Sequence, residues 1–257
     1  IFLAGLDLSV IQRELFPADE SVEISEIRAR ILCSILQEKH STAALDLAGY
    51  LLLRGVKKAA TSIYFISKFA EPDCKLSWAS FTAAHVGYLI SILDDAEESW
   101  ALDALKCLCA ARPDLAEAVK QDASKKSGIE KAALIYCVSP ADFTPVFQAL
   151  VEIVEMSDEH RREQPFRILQ RIECDWTGKE ELFVQLLRLR DVQLSSALLS
   201  ASIPPSIPGL GNLEIGPIYW WLEWMMEVGS GRVDYWFLYQ LGGLFAEHLN
   251  REVQHEF

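Results

Sequence analysis

Basic residues are scarce in this chain of 257 residues. It contains 24 Lys and Arg against 37 Asp and Glu, which gives a net charge of −13 at pH 7. Proteins that bind nucleic acids or anionic lipid surfaces need clustered Lys and Arg to neutralise the phosphates. We therefore predict that the chain contacts neither nucleic acid nor membrane directly, and that its acidic surface favours a protein partner of basic character.

Three short basic groups interrupt this acidic background. They are Arg54 with Lys57 and Lys58, Lys125 with Lys126, and Arg161 with Arg162 and Arg167. Each group has acidic residues nearby in the sequence, which is typical of a solvated helix face with mixed charges. We interpret all three as such faces and not as binding patches.

Patterns typical of β-strands are also missing. The sequence has no useful alternation of apolar and polar residues and no Asn-Gly or Asp-Gly hairpin turn. Apolar residues recur instead at intervals of three and four, as in the stripe formed by Ile24, Ile27, Ile31 and Ile35. We predict an all-α fold of about a dozen helices, arranged either as an irregular, solenoid-like repeat array or as a compact multi-helix bundle.

No apolar run is long enough to predict a transmembrane helix. Residues 76–93 carry no charged side chain, but five Ser, Thr and His residues interrupt them, and a membrane span needs about 20 predominantly apolar residues. We predict a buried helix here, in which His85 is a hydrogen-bonded core residue and not a ligand.

Cysteine is too sparse for a disulfide scaffold, since six residues are spread over a long chain. We predict reduced, mostly buried thiols and a cytoplasmic location. Cys107 and Cys109 point in different directions on a helix, so they are not a metal-binding pair. Cys74, in the loop sequence Glu71-Pro-Asp-Cys74, is interpreted as a plain loop cysteine.

The familiar catalytic motifs are absent. The chain lacks a G-x-x-x-x-G-K-[ST] phosphate loop, a strand-linked G-x-G-x-x-G and a G-x-S-x-G nucleophile motif. His248, Glu252 and His255 would share one helix face, and each type can bind a metal. Di-iron bundles need Glu-x-x-His twice, and no second copy exists. We interpret this face as a solvated last turn, and we expect no metal, no cofactor and no catalytic residue.

Proline and glycine divide the chain. Ser139-Pro-Ala-Asp142 predicts the start of a helix, because Ser caps, Pro fits the first turn and Asp complements the dipole. Residues 203–217, IPPSIPGLGNLEIGP, cannot be helical throughout. We predict a helical body over 1–202, an ordered loop over 203–217 and an aromatic helical hairpin over 218–257 packed on the body. A second small domain from about residue 212 is the alternative.

Residues 100–119 read as a helix, a short Arg-Pro-Asp turn and a second helix. This unit resembles the HEAT and armadillo classes of helical repeats, and the resemblance covers residues 24–155. Residues 43–69 share the Ala-Leu-Asp opening and break at Arg54-Gly55. The resemblance implies a scaffold whose stacked helices offer an extended binding surface.

The C-terminal region is rich in aromatic residues. PIYWWLEWMMEV, residues 217–228, holds three of the seven Trp and two of the three Met. Such a helix is buried on several sides or meets a partner, and Trp, Tyr and Met are enriched at interface centres. The candidate partner-binding residues are Trp220, Trp221, Trp224, Tyr235 and Trp236.

These features favour a non-catalytic protein-interaction or regulatory module. The first 16 residues lack the basic region and cleavage site of a signal peptide, and we expect the chain to belong to a larger protein or assembly. The alternative function is an all-α enzyme or small-ligand carrier with a pocket lined by the C-terminal aromatics.

Overall fold

The computed structural model describes residues 26–70, 75–95, 100–172, 174, 176 and 178–201. Within these residues it contains eleven α-helices, one 3₁₀ helix and no β-strand, which confirms the predicted all-α class with about a dozen helices. The helices are α1 (Glu26–Gln37), α2 (Thr42–Leu53), α3 (Ala59–Phe69), α4 (Ala83–Ser91), α5 (Ala101–Ala111), α6 (Pro113–Ala123), α7 (Gly128–Val138), α8 (Thr144–Glu155), α9 (Asp158–Arg162), the 3₁₀ helix (Phe166–Arg171), α10 (Glu180–Arg188) and α11 (Val192–Ala201).

The described residues divide into two compact units. The first comprises those up to 124 together with 137–140, and the second comprises 125–136 and those from 141 onward. The predicted loop at 203–217 and the predicted hairpin at 218–257 lie outside the described residues.

Helices in the first unit pack mainly on near neighbours in the chain. α1 packs on α2 and α3, α2 on α3 and α4, α3 on α5, α4 on α5 and α6, and α5 on α6. Helical-repeat arrays show this short-range pattern, because each repeat contacts only its neighbours. In the second unit α10 packs on α8 and on α11, and α11 packs on the 3₁₀ helix.

Both ends of α2 follow from its sequence. The Ser41 hydroxyl accepts the backbone N–H of Ala44 at 3.3 Å and caps the first turn. At the other end, Gly55 adopts a left-handed φ of 83°. Its N–H bonds the carbonyl of Leu52 at 3.0 Å, and the Val56 N–H bonds the carbonyl of Leu51 at 3.1 Å. These two bonds form a Schellman motif, and the predicted break at Arg54-Gly55 is confirmed.

The buried face of α1 differs from the predicted stripe. Ile35 is buried, but Ile27 is 74% exposed and Ile31 is 44% exposed. The buried face is formed by Ala29, Leu32, Cys33 and Leu36. α3 packs on α1, and the Ser62 hydroxyl donates to the Cys33 carbonyl at 3.0 Å. Ile24 lies outside the described residues.

Two predicted helix boundaries were wrong. Residues 139–143 form a turn and α8 begins at Thr144, because the Asp142 carboxylate accepts the Thr144 N–H at 3.0 Å and Pro145 occupies the first turn. The predicted helix over 76–93 is shorter, since only Ala83–Ser91 is helical. No helix within the described ranges has the length and apolar character needed to cross a bilayer.

Candidate functional site

The residues predicted as sites from the sequence lie outside the described part of the chain. This holds for the aromatic candidates Trp220, Trp221, Trp224, Tyr235 and Trp236, for the metal candidates His248, Glu252 and His255, and for Cys74. The structure instead shows two other clusters, one in each unit.

The first cluster is a continuous group of rings on α3 and at the start of α5. Phe65 and Phe69 stack with their centroids 5.7 Å apart, and Trp100 lies 5.1 Å from Phe65 and 4.7 Å from Tyr64. His40 flanks Phe69 at 6.3 Å. Phe69 is 53% exposed, and Phe65, Trp100 and His40 are half-buried. We call Phe65, Phe69 and Trp100, with Tyr64 beneath them, the aromatic surface.

The spacing of α3 explains this arrangement. Ile63 and Ile66 are fully buried on the core side of the helix. Phe65 and Phe69 are four residues apart, so they share a face that looks away from that core. Phe69 follows Ile63 and Ile66 at helical spacing, but its ring lies on the exposed side of α3 and not in the core.

One cation lies at the edge of the aromatic surface. The Lys68 ammonium donates to the Tyr64 hydroxyl at 2.7 Å and lies 5.2 Å from the centre of the Tyr64 ring. This geometry combines a hydrogen bond with a cation–π contact, which holds the long side chain near the rings. The surface thus presents an apolar patch beside one fixed positive charge.

Four cysteines of the described ranges, Cys107, Cys109, Cys137 and Cys174, are thiols outside any disulfide, and burial disfavours their ionisation. Burial raises the pKa of Cys107 to about 11, with a further contribution from the Asp103 carboxylate. Burial also raises the pKa of Cys109 to about 11 and that of Cys174 to about 12, and the pKa of Cys137 lies well above its ordinary value for the same reason. These thiols are protonated at neutral pH and are poor nucleophiles.

His85 is a hydrogen-bonded core residue, as predicted. It is 4% exposed, and its Nδ1 accepts the Thr82 backbone N–H at 3.1 Å. Burial lowers its pKa, and backbone hydrogen bonds with Gly49 and Thr82 only partly offset that effect. The imidazole is therefore neutral at pH 7 and caps α4.

The second cluster is a cleft in the second unit. One of its residues, Arg161, differs from the interpretation made from the sequence. Arg161 was predicted to lie on a solvated face, but it is buried and only 9% exposed. It donates to the Met156 carbonyl at 2.5 Å and pairs with the Asp158 carboxylate. Arg161 and Arg162 both line the cleft, whereas Arg167 does not.

The cleft has a volume of about 350 Å³. Its lining residues come from α9, from the connection between α10 and α11 and from the first residue of α11, and they are Asp158, Arg161, Arg162, Leu189, Arg190, Asp191 and Val192. The sequence contains little indication of this site, because Arg161-Arg162 and Arg190-Asp191 are distant in the sequence. Only folding brings these two pairs to the same cleft. Across the described ranges, no three His, Cys, Asp or Glu side chains are placed to hold a metal ion.

Comparison with protein-family models, with curated proteins and with solved structures finds no match for this chain.

Proposed function

We propose that the chain is a protein-interaction module of a larger cytoplasmic assembly, and that its aromatic surface holds the partner. The occupant is a partner segment that places one apolar side chain over Phe69. The module works by recognition and carries out no chemical step.

The exposure of Phe69 is the observation that carries this proposal. Half of this large ring faces solvent, although the rings of Phe65 and His40 lie beside it. Burying a fully exposed phenylalanine contributes about 1.5–3 kcal/mol, so covering the exposed part of Phe69 would contribute about half of that to a complex. Aromatic residues are enriched at interface centres. Stacking on Phe65 already orders the Phe69 ring, so binding loses little side-chain entropy.

Net charge indicates the character of the partner as a whole. The net charge of −13 favours a partner that is basic overall and speeds their encounter. The apolar patch around Phe69 then supplies the contact that holds one segment of this partner.

Site-specific photo-crosslinking tests this proposal. In one variant of the full chain, a photoreactive phenylalanine analogue replaces Phe69. A matched control carries the same analogue at Leu53, which is 46% exposed and is the last residue of α2, whereas His40 beside Phe69 precedes the start of that helix. In extracts of cells that naturally contain the chain, one protein should be captured from position 69 and not from position 53, and it should bind the purified wild-type chain. Equal capture from both positions, or capture only of a second copy of the chain, would refute the proposal.

A further inference from the structure

Helix α1 exposes two isoleucines at one edge of the first unit. Ile27 is 74% exposed and Ile31 is 44% exposed. They are four residues apart and share one face of the helix, whereas the fully buried Leu36 lies on the opposite side. The exposed Arg30 and Ser34 flank the two isoleucines on the same helix. An apolar surface with a polar rim marks a place where another segment binds.

The packing of the first unit explains why this face lies at an edge. α1 packs on α3 and α3 on α5, whereas α2 packs on α4 and α4 on α6, so these six helices form two rows. α1 is the first helix of its row within the described ranges, and α3 covers one side of it, where Ser62 donates to the Cys33 carbonyl. The end helix of such an array needs a polar outer face if no further segment packs on it. The two isoleucines make the outer face of α1 apolar instead.

Residues 1–16, IFLAGLDLSVIQRELF, lie outside the described part of the chain and have a sequence suited to this face. Leu8, Ile11 and Leu15 recur at intervals of three and four, which is typical of the apolar stripe of a helix. A stripe of this kind is stable in water only when it is buried against another apolar surface. The segment and the exposed face of α1 therefore have complementary requirements.

The short connection to α1 favours this segment over a separate molecule. Residues 17–25 join it to Glu26, which begins α1 directly before Ile27. A linker of this length can span about 30 Å, whereas α1, with 12 residues, is about 18 Å long. The segment can therefore run back along the whole of α1. A segment tethered so closely has an effective concentration in the millimolar range, which gives it an advantage over a second copy of the chain.

We propose that residues 1–16 dock on the face formed by Ile27 and Ile31 and thereby close this edge of the array. Each later helix in the row of α1 packs on the helix that directly precedes it in the sequence, since α2 packs on α3 and α4 packs on α5. Residues 1–16 hold the same position in the sequence relative to α1. This contact is internal to the chain and does not depend on the proposed partner.

Photo-crosslinking in the purified full chain tests this proposal. A photoreactive phenylalanine analogue replaces Ile31 in one variant, and in the matched control it replaces Val151 of α8, which is 46% exposed. Mass spectrometry of the digested monomer should find position 31 joined to residues 1–16, at a yield independent of protein concentration, and position 151 not joined to them. Cross-linked dimers through position 31 would assign the face to a second copy and overturn the proposal. Equal yields from the two positions, or no link to residues 1–16, would overturn it as well.

Thermal unfolding of Ile27→Gln is a second test that needs no cross-link. Glutamine is at least as good a helix former as isoleucine, so a solvent-exposed position 27 would keep or raise the melting temperature. If residues 1–16 cover Ile27, the substitution should lower the melting temperature by about 4 °C or more, because a buried apolar side chain is lost. This fall should be the same at low and high protein concentration. An unchanged or raised melting temperature, or a fall confined to high concentration, would contradict the proposal.

Discussion

The Nδ1 atom of His85 accepts the backbone N–H of Thr82, 3.1 Å away, and so caps the helix that His85 itself belongs to. This bond requires an unprotonated Nδ1, and burial lowers the pKa of His85 from its ordinary value of 6.5. The capping of α4 and the protonation state of His85 are therefore coupled.

Stability should consequently fall as the pH falls below about 6.5. The unfolded chain takes up a proton at His85 near pH 6.5, whereas the folded chain does so only at a lower pH, so acid favours unfolding. His85→Gln keeps an acceptor for the Thr82 N–H and does not titrate. Urea unfolding between pH 7.5 and 5 should show a shallower decline for this variant. If the free energy of unfolding declined equally with pH in both proteins, His85 would not be the group that makes stability depend on pH.

Two helical glycines should respond in opposite ways to alanine. A Cβ at Gly49 would lie 3.0 Å from Phe81 Cζ and 3.3 Å from His85 Nε2, while a Cβ at Gly87 would meet nothing within 4 Å. Gly49→Ala should therefore destabilise the protein by about 1–3 kcal/mol through overpacking. Gly87→Ala should stabilise it by up to about 1 kcal/mol through helix propensity. Thermal unfolding of both variants would check this, and equal shifts in one direction would contradict it.

Arg112 should matter more to stability than its ion pair with Asp114 implies. Its Nη1 donates to the carbonyls of Trp78 at 2.8 Å and Phe81 at 3.1 Å, and so ties the segment before α4 to the connection between α5 and α6. Its other nitrogens pair with Asp114. Arg112→Ala should lower the melting temperature more than Asp114→Ala does, because only the first change leaves two carbonyls without this donor. If Asp114→Ala lowered the melting temperature more than Arg112→Ala, the ion pair between the two residues would be the larger contribution to stability.

Much of the fold could be predicted because its signals are local. Helical spacing predicted the all-α class, and Pro113 and Gly55 marked real helix boundaries. Periodicity failed for α1, because its sequence offers two apolar faces, one with Ile27 and Ile31 and one with Leu32 and Leu36. Spacing alone does not show which face a neighbouring helix covers.

The two candidate sites depend on contacts between distant parts of the sequence. Trp100 joins Tyr64 and Phe65 only because α3 packs on α5. Arg162 and Arg190 line one cleft only after α9 and α11 have taken their places. Neither group has a motif of its own, so residue spacing could not reveal it. The predicted aromatic candidates of the C-terminal region remain predictions.

In the proposed function, Phe69 is a residue that binds the partner and not one that only stabilises the fold. The most direct measurement is the dissociation constant of the partner captured from position 69 for the wild-type chain, for Phe69→Ala and for Leu53→Ala. Phe69→Ala should cost about 1 kcal/mol or less in stability, since the ring is half exposed and loses chiefly its stacking on Phe65. We predict that it weakens partner binding by about tenfold or more, while Leu53→Ala leaves the affinity within about twofold. Equal affinities for all three chains would contradict the assignment of the aromatic surface as the partner-binding site.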